Sequence, residues 1–129
     1  MKHALAIIFG LAYLALGAAM LIDPHGWYSA TPGVPTTGPF NPHFVTDIGL
    51  AFVASGALWL GAAFVRPQRG GLALGASLWP ALHAGFHLVE WAAHGVPSGA
   101  AFWAEGVGVI AVAALSLGLA IVFFRERTV

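Results

Sequence analysis

Six side chains in three parts of the chain are of the types that hold metal ions or carry protons. They are imidazoles and carboxylates: His43, Asp47, His83, His87, Glu90 and Glu105. Imidazole nitrogens and carboxylate oxygens are ligands that suit zinc, copper(II), iron or manganese. The chain contains no Cys, which excludes thiolate metal sites, disulfides and cysteine nucleophiles. We therefore expect a divalent transition metal (zinc, copper or iron) as the cofactor.

The spacing of the histidines places several of these groups on one helix face. At about 100° per residue, His83, His87 and Glu90 fall within an arc of about 60°. His43 and Asp47 are four residues apart and share a face of another helix. In a membrane-spanning helix, a charged side chain that faces lipid costs several kcal/mol. The helix face that carries His83 is therefore expected to turn inward. There it would meet Asp47 and Glu105.

Such a site would be catalytic if one coordination position were open. A metal ion lowers the pKa of a bound water toward neutrality, which gives hydrolytic or redox chemistry on a lipid-like or small substrate. Glu90 and Glu105 are the candidate catalytic residues, because either carboxylate could act as the general base. The long first loop would then cover the site as a lid.

Three other interpretations of the same residues stay open. Buried imidazoles and carboxylates could simply pair and fix helix register, Asp47 with His87 or Glu105 with His83. Haem could bind instead, with His83 or His87 as an axial ligand beside aromatic side chains. A quinone or proton-relay site is the third, since chains of His, Asp and Glu at membrane depth commonly move protons.

The elements that position these residues follow from a very apolar composition. Hydrophobic residues make up 59% of the 129 residues and charged residues 8%, with a mean hydropathy of +0.84. An average soluble domain has roughly 25% charged residues, so this chain has too little polar surface for one. Five Lys and Arg are balanced by five Asp and Glu, which argues against nucleic acid as a partner. The composition predicts an integral membrane protein and excludes a cytosolic enzyme or a disordered segment.

Four stretches are long and apolar enough to cross a bilayer, which needs about 20 residues. They cover residues 4–22, 44–65, 71–93 and 104–124. We expect an all-α, four-helix membrane bundle that forms a single domain over residues 1–129. The first stretch follows Lys2 as a signal peptide would, but it is longer and lacks a clear cleavage site, so a retained helix is expected. Three serines within the spans are expected to hydrogen-bond back to carbonyls of their own helices: Ser55, Ser77 and Ser116.

All basic residues fall on one side of these spans: Lys2, Arg66, Arg69, Arg125 and Arg127. The positive-inside rule makes that side cytoplasmic, which predicts a multi-pass protein of the plasma (bacterial inner) membrane with both termini cytoplasmic. On the outer side, residues 23–43 form a long first loop rich in Pro and Gly. Asp23 and Pro24 at its start are typical of the cap and first position of a short helix.

The segment 38–49 resembles a motif of small, uncharacterised bacterial membrane proteins. Its string Asn-Pro-His-Phe-Val-x-Asp-Ile-Gly covers residues 41–49 and includes His43 and Asp47. Thr46 stands where that family more often has Arg. Its members have four predicted spans, a Pro/Gly-rich first outer loop and a His-rich third helix, a layout distantly similar to that of DoxX-like proteins. The resemblance implies the four-span fold and the choice of residues, and nothing about a reaction.

Two functions from different classes follow from these observations. The first is a membrane metalloprotein whose site lies near the outer leaflet and uses the six imidazoles and carboxylates as ligands. The second is a non-catalytic accessory subunit of a larger membrane complex, in which the polar layer is structural. The expected partners are the lipid bilayer, a lipid-like or small-molecule ligand, and further copies of the chain or a larger complex. The shared depth of six ionisable groups favours the first function.

Overall fold

The computed structural model describes residues 1–126, and within them every regular element is helical. Six α-helices follow one another: α1 Lys2–Ile22, α2 Pro24–Ala30, α3 Pro42–Phe64, α4 Arg69–His94, α5 Gly99–Trp103 and α6 Val112–Arg125. Short 3₁₀ turns at Val34–Thr36 and Arg66–Gln68 precede α3 and α4. A π-helical segment, Ala104–Ala111, joins α5 to α6. The all-helical fold predicted from the sequence is confirmed.

Four helices are long and apolar enough to cross a membrane, as the sequence predicts. The first three are α1, α3 and α4, and the fourth span is the continuous segment Gly99–Arg125, made of α5, the π-helical segment and α6. A polar side chain marks where α3 begins. Asn41 caps α3 by accepting a hydrogen bond from the backbone N–H of Phe44 at 3.2 Å, and Pro42 occupies the first helical position.

Each of the first three spans packs against the next one along the chain, α1 on α3, α3 on α4, and α4 on α6. Glycines let α1 and α3 approach backbone to backbone. A Cβ atom on Gly17 would lie 2.6 Å from the carbonyl oxygen of Gly49, and one on Gly56 would lie 2.8 Å from that of Gly10. Lipid tails compete equally well for large apolar side chains, so close approach at small residues stabilises such helix pairs.

The centre of the bundle contains a short chain of hydrogen bonds between three helices. Trp59 of α3 is fully buried and donates from Nε1 to Oγ of Ser116 on α6 at 3.2 Å. Oγ of Ser116 lies 3.1 Å from Oγ of Ser77 on α4, and Ser77 donates to the carbonyl oxygen of Ala73 at 3.0 Å. The predicted bond back to the same helix is therefore confirmed for Ser77, whereas Ser116 links α6 to its neighbours.

The two ends of the bundle differ in their ionisable residues. One end, called the arginine end, carries Lys2, Arg66, Arg69 and Arg125. There Lys2 pairs with Glu126, and Arg69 donates to two carbonyl oxygens at the end of α3 at 2.8 and 3.3 Å. Arg127, the fifth basic residue used to predict the orientation, lies outside the described residues. The opposite end, where α1 and α4 end and α3 and α5 begin, is called the histidine end.

The first loop, residues 23–41, folds over the histidine end. Asp23 caps α2 by accepting from a backbone N–H at 2.9 Å, and a proline occupies the first helical position, as the sequence predicts. The hydroxyl of Tyr28 donates to the carbonyl oxygen of Gly38 at 2.7 Å, which ties α2 to the far part of the loop. Between them, Gly33 lies close to α5, where a Cβ atom would be 3.4 Å from a side-chain carbon. The loop thus reaches the fourth span.

Candidate imidazole–carboxylate site

Glu105 lies at the centre of a polar group of residues between α4 and the fourth span. Its Oε2 accepts a hydrogen bond from the indole N–H of Trp91 at 2.6 Å. The same oxygen lies 3.1 Å from Nδ1 of His87, and an ionised carboxylate in this position accepts the hydrogen bond from the ring N–H. The side chains are 22% exposed for Glu105 and 19% for His87, so the pair is largely shielded from its surroundings.

His83 extends this group one turn deeper along α4. Its ring meets the ring of His87 edge to face, with centroids 4.8 Å apart and planes at 84°. It also stacks on the indole of Trp79, with centroids 5.6 Å apart and planes at 9°. The four side chains that hold one another in this way are called the imidazole–carboxylate cluster: His83, His87, Trp91 and Glu105.

A reversal of the chain brings Glu105 beside His87. Helix α4 stops at Gly95, which has a φ of 91°, and α5 begins at Gly99, which has a φ of 63°. Both angles are readily adopted by glycine and costly for residues with a side chain. The chain then enters the π-helical segment, which packs against α4 and has Glu105 as its second residue. Such segments within α-helices are frequent at functional sites.

Two further glycines let neighbouring groups approach Glu105 closely. A Cβ atom on Gly106 would lie 3.3 Å from Cη2 of Trp91, so a larger residue there would press on the edge of the indole ring. Gly33 in the first loop has a φ of 90°, and a Cβ atom there would lie 3.6 Å from Oε1 of Glu105. The first loop therefore covers the carboxylate oxygen that does not bind His87.

The remaining predicted ligands lie in two exposed pairs. Nε2 of His43 is 3.6 Å from Oδ2 of Asp47 on α3, and the side chains are 86% and 58% exposed. Nδ1 of His94 is 3.4 Å from Oε2 of Glu90 on α4, with side chains 72% and 46% exposed. Asp47 was expected to face inward, whereas it lies on the outside of α3. The inward side of that helix is occupied by the glycines and aromatic residues that pack on α1.

Of the six predicted ligands, the structure brings three together, in contact through His87: His83, His87 and Glu105. Among residues 1–126, no group of three or more His, Asp or Glu side chains is placed to hold one metal ion. The pairing that forms is His87 with Glu105, in place of the expected pairings of Asp47 with His87 or Glu105 with His83. The metal ion, and the catalytic roles of Glu90 and Glu105, stay predictions.

The cluster can orient an imidazole for metal binding or proton transfer. A carboxylate that accepts from Nδ1 of His87 fixes the tautomer of the ring and leaves Nε2 with a free lone pair. Such a nitrogen can act as a metal ligand or as a general base. Trp91 is absent from the predicted set, although it follows His87 by four residues and hence shares its helix face. This four-residue spacing is the sequence feature from which the position of Trp91 beside His87 could have been predicted.

Comparisons with known proteins leave this site without an assignment. No family model, no curated protein and no solved structure matches the chain. The resemblance of residues 41–49 to four-span bacterial proteins therefore stays an expectation. The function has to be argued from the geometry of the cluster.

Proposed function

We propose that this chain is an integral membrane protein that binds a divalent transition-metal ion through His83 and His87. Its four spans cross the bacterial inner membrane with both termini in the cytoplasm, and the metal lies toward the outer leaflet. Four apolar helices of sufficient length support the insertion. The basic residues gathered at the arginine end support the orientation, and the cluster lies toward the opposite end.

The observation that carries the proposal is the hydrogen bond between Nδ1 of His87 and Oε2 of Glu105. Imidazoles that bind metals almost always donate their second ring N–H to a carboxylate, a carbonyl or a water. This contact orients the ring and makes Nε2 a better ligand. In the structure it is reinforced by Trp91, which holds the same carboxylate oxygen in place.

A second imidazole beside the first supports a metal site over a simple structural pair. Fixing helix register needs one imidazole and one carboxylate, yet the ring of His83 lies directly against that of His87. Four-residue spacing places both rings on one face of α4. Two histidines at this spacing on a helix are the zinc ligands of HExxH metalloproteases.

The proposal narrows the predicted ligand set to two imidazoles, with Glu105 as the group that orients His87. Three predicted ligands in exposed pairs take no part: His43, Asp47 and Glu90. Two protein ligands leave coordination positions for water or substrate. A bound ion would therefore activate a water, or a small or lipid-like substrate, for hydrolytic or redox chemistry.

Metal binding to the purified protein tests the proposal directly. The protein in detergent is stripped of metal, titrated separately with Zn²⁺, Cu²⁺ and Fe²⁺, and desalted, and its metal content is measured by mass spectrometry. We expect one site per chain that is lost in His83→Ala and in His87→Ala. Binding should persist in His43→Ala, a matched control that removes an exposed imidazole also paired with a carboxylate.

Two results would contradict the proposal. One is the failure of every ion to bind stoichiometrically to the wild-type protein. The other is stoichiometric binding that survives His87→Ala in a variant shown to be folded by its circular dichroism spectrum. Loss of binding in His43→Ala together with its retention in His87→Ala would move the site to the exposed pair on α3.

A further inference from the structure

A groove on the outside of the bundle, between α3 and α4, lies next to the imidazole–carboxylate cluster. It has a volume of about 310 Å³, and the residues that line it include Ala51, Ser55, Leu58, Gly75, Trp79 and Leu82. This volume is at the small end of the range for small-molecule sites, roughly 300–1,000 Å³. Leu78 and Leu82 at its edge are 60% and 64% exposed, so the groove opens to the outside of the bundle.

The wall of this groove contains polar groups without hydrogen-bond partners. Ser55 is 3% exposed, and none of the hydrogen bonds among residues 1–126 involves its hydroxyl. Ser77, in contrast, bonds back to a carbonyl of its own helix. Nε1 of Trp79 is likewise buried without an acceptor in the described part of the chain. Nε1 of Trp79 is enclosed by the protein and is not reached from the groove, whereas Ser55 lines it. Since buried polar groups are nearly always hydrogen-bonded, the hydroxyl of Ser55 points to an acceptor that binds from outside the chain.

The chemistry of the groove selects a neutral molecule with a carbonyl oxygen. Its lining residues are uncharged, and the polar side-chain group that it offers to a ligand is the hydroxyl of Ser55, which can donate. Ala51 and Gly75 have too little side chain to obstruct a flat ring between the two helices. A charged headgroup would find no counter-charge here, and a plain acyl chain would leave the hydroxyl of Ser55 without an acceptor.

The depth of the groove in the membrane favours a quinone over a phospholipid as the bound molecule. Ser55 lies near the middle of α3, which has 23 residues. In a membrane it would lie near the middle of a hydrocarbon core about 30 Å thick. The ester carbonyls of phospholipids lie at the edge of that core. The ring of a membrane-soluble quinone carries carbonyl groups on an uncharged body and can enter the core.

We infer that the groove between α3 and α4 binds the ring of a membrane-soluble quinone. One ring carbonyl accepts a hydrogen bond from the hydroxyl of Ser55, and the ring lies against the indole of Trp79. The inference rests on the membrane location in the proposed function and is independent of the metal site. Because Trp79 also stacks on His83, the bound ring lies one side chain away from the imidazole–carboxylate cluster.

Binding of a short-chain quinone to the protein in lipid nanodiscs tests this inference. Ubiquinone-1 is titrated into metal-free protein while the quenching of tryptophan fluorescence is followed. We expect saturable binding that is weakened about two- to tenfold in Ser55→Ala, because one hydrogen bond is lost. Binding should be abolished in Gly75→Leu, because the added side chain fills the groove where a Cβ atom already lies 3.5 Å from Leu58.

Gly71→Leu is the matched control, because it adds the same side chain one turn away on α4, where a Cβ atom meets nothing within 4 Å. It should bind ubiquinone-1 as the wild type does. Equal quenching in Gly75→Leu and the wild type would overturn the inference, since it would report partition of the quinone into lipid. If Gly75→Leu fails to fold, unchanged affinity in folded Ser55→Ala overturns it instead.

Two further outcomes test which molecule occupies the groove and whether the chain lies in a membrane. Displacement of ubiquinone-1 by farnesol at equal concentration would overturn the inference, because farnesol has the isoprenoid chain without the carbonyl ring. A chain that does not enter nanodiscs would contradict the membrane location itself, before any quinone is added. Failure of metal binding alone would leave the quinone result unchanged.

Discussion

The charge of Glu105 should control the metal affinity of His87, and Glu105→Gln isolates that charge. The amide has the size of the carboxylate. Its oxygen could still accept a hydrogen bond from Nδ1 of His87 or from Nε1 of Trp91, which lie 3.1 and 2.6 Å from Oε2 of Glu105 in the wild-type protein. Hydrogen bonds to a charged acceptor are roughly twice as strong as those to a neutral one. The ring would therefore be less polarised and held less firmly, and Nε2 would become a weaker ligand.

The size of the effect follows from the position of the pair. Loss of a group that orients a metal-binding imidazole costs roughly 10- to 100-fold in metal affinity, or about 1.4 to 2.7 kcal/mol. The side chains of Glu105 and His87 are 22% and 19% exposed, so solvent screens part of their interaction. We therefore expect the lower part of this range, an increase in the Kd of about 10- to 30-fold.

Calorimetric titration of Zn²⁺ into metal-free protein measures this change. The control is Glu90→Gln, which neutralises the carboxylate paired with the exposed ring of His94 and should leave the Kd unchanged. An unaltered Kd in a folded Glu105→Gln variant would refute the orienting role of the carboxylate. Equal weakening in both variants would also refute it, because the effect would then come from net charge alone.

Three further substitutions test the contacts around the cluster and within the bundle. Trp91→Phe removes the donor 2.6 Å from the carboxylate and should lower the free energy of unfolding in detergent by about 1.5 kcal/mol; an unchanged denaturant midpoint would contradict that hydrogen bond. Gly33→Ala puts a side chain at a φ of 90° and should cost about 1 kcal/mol in the same measurement, whereas a stabilised variant would contradict the strained angle. Gly17→Val would place Cβ 2.6 Å from the carbonyl oxygen of Gly49 and should lower the Tm more than Gly71→Val, whose Cβ meets nothing within 4 Å. Equal shifts in Tm for the two glycine variants would argue against close packing of α1 and α3.

Hydropathy alone locates the helices, because crossing a bilayer depends on the length and composition of a stretch. The predicted stretch 44–65 corresponds to α3, Pro42–Phe64, and 71–93 corresponds to α4, Arg69–His94. The fourth span begins at Gly99, five residues before the predicted start at 104. The residues between are themselves small or aromatic, so the boundary has no polar signal.

The rotation of each helix about its axis does not follow from hydropathy, and there the expected site departs from the structure. Val45, Gly49 and Phe52 are buried and recur at three- and four-residue spacing, which marks one side of α3. Asp47 lies about 200° from Val45 around the helix axis and is therefore exposed. Gly49 is the sequence signal for the side of α3 that can approach another helix closely, and that side excludes Asp47.

The imidazole–carboxylate cluster lies between α4 and the fourth span, and the groove lies between α3 and α4. His87 and Glu105 meet across the short connection between α4 and α5, so little chain entropy is lost when they pair. Trp79 belongs to both places, since it lines the groove and stacks on His83. If a ring in the groove changes the affinity of His83 for a metal ion through that stack, the metal ion changes the affinity for the ring by the same factor, because coupling free energies are reciprocal.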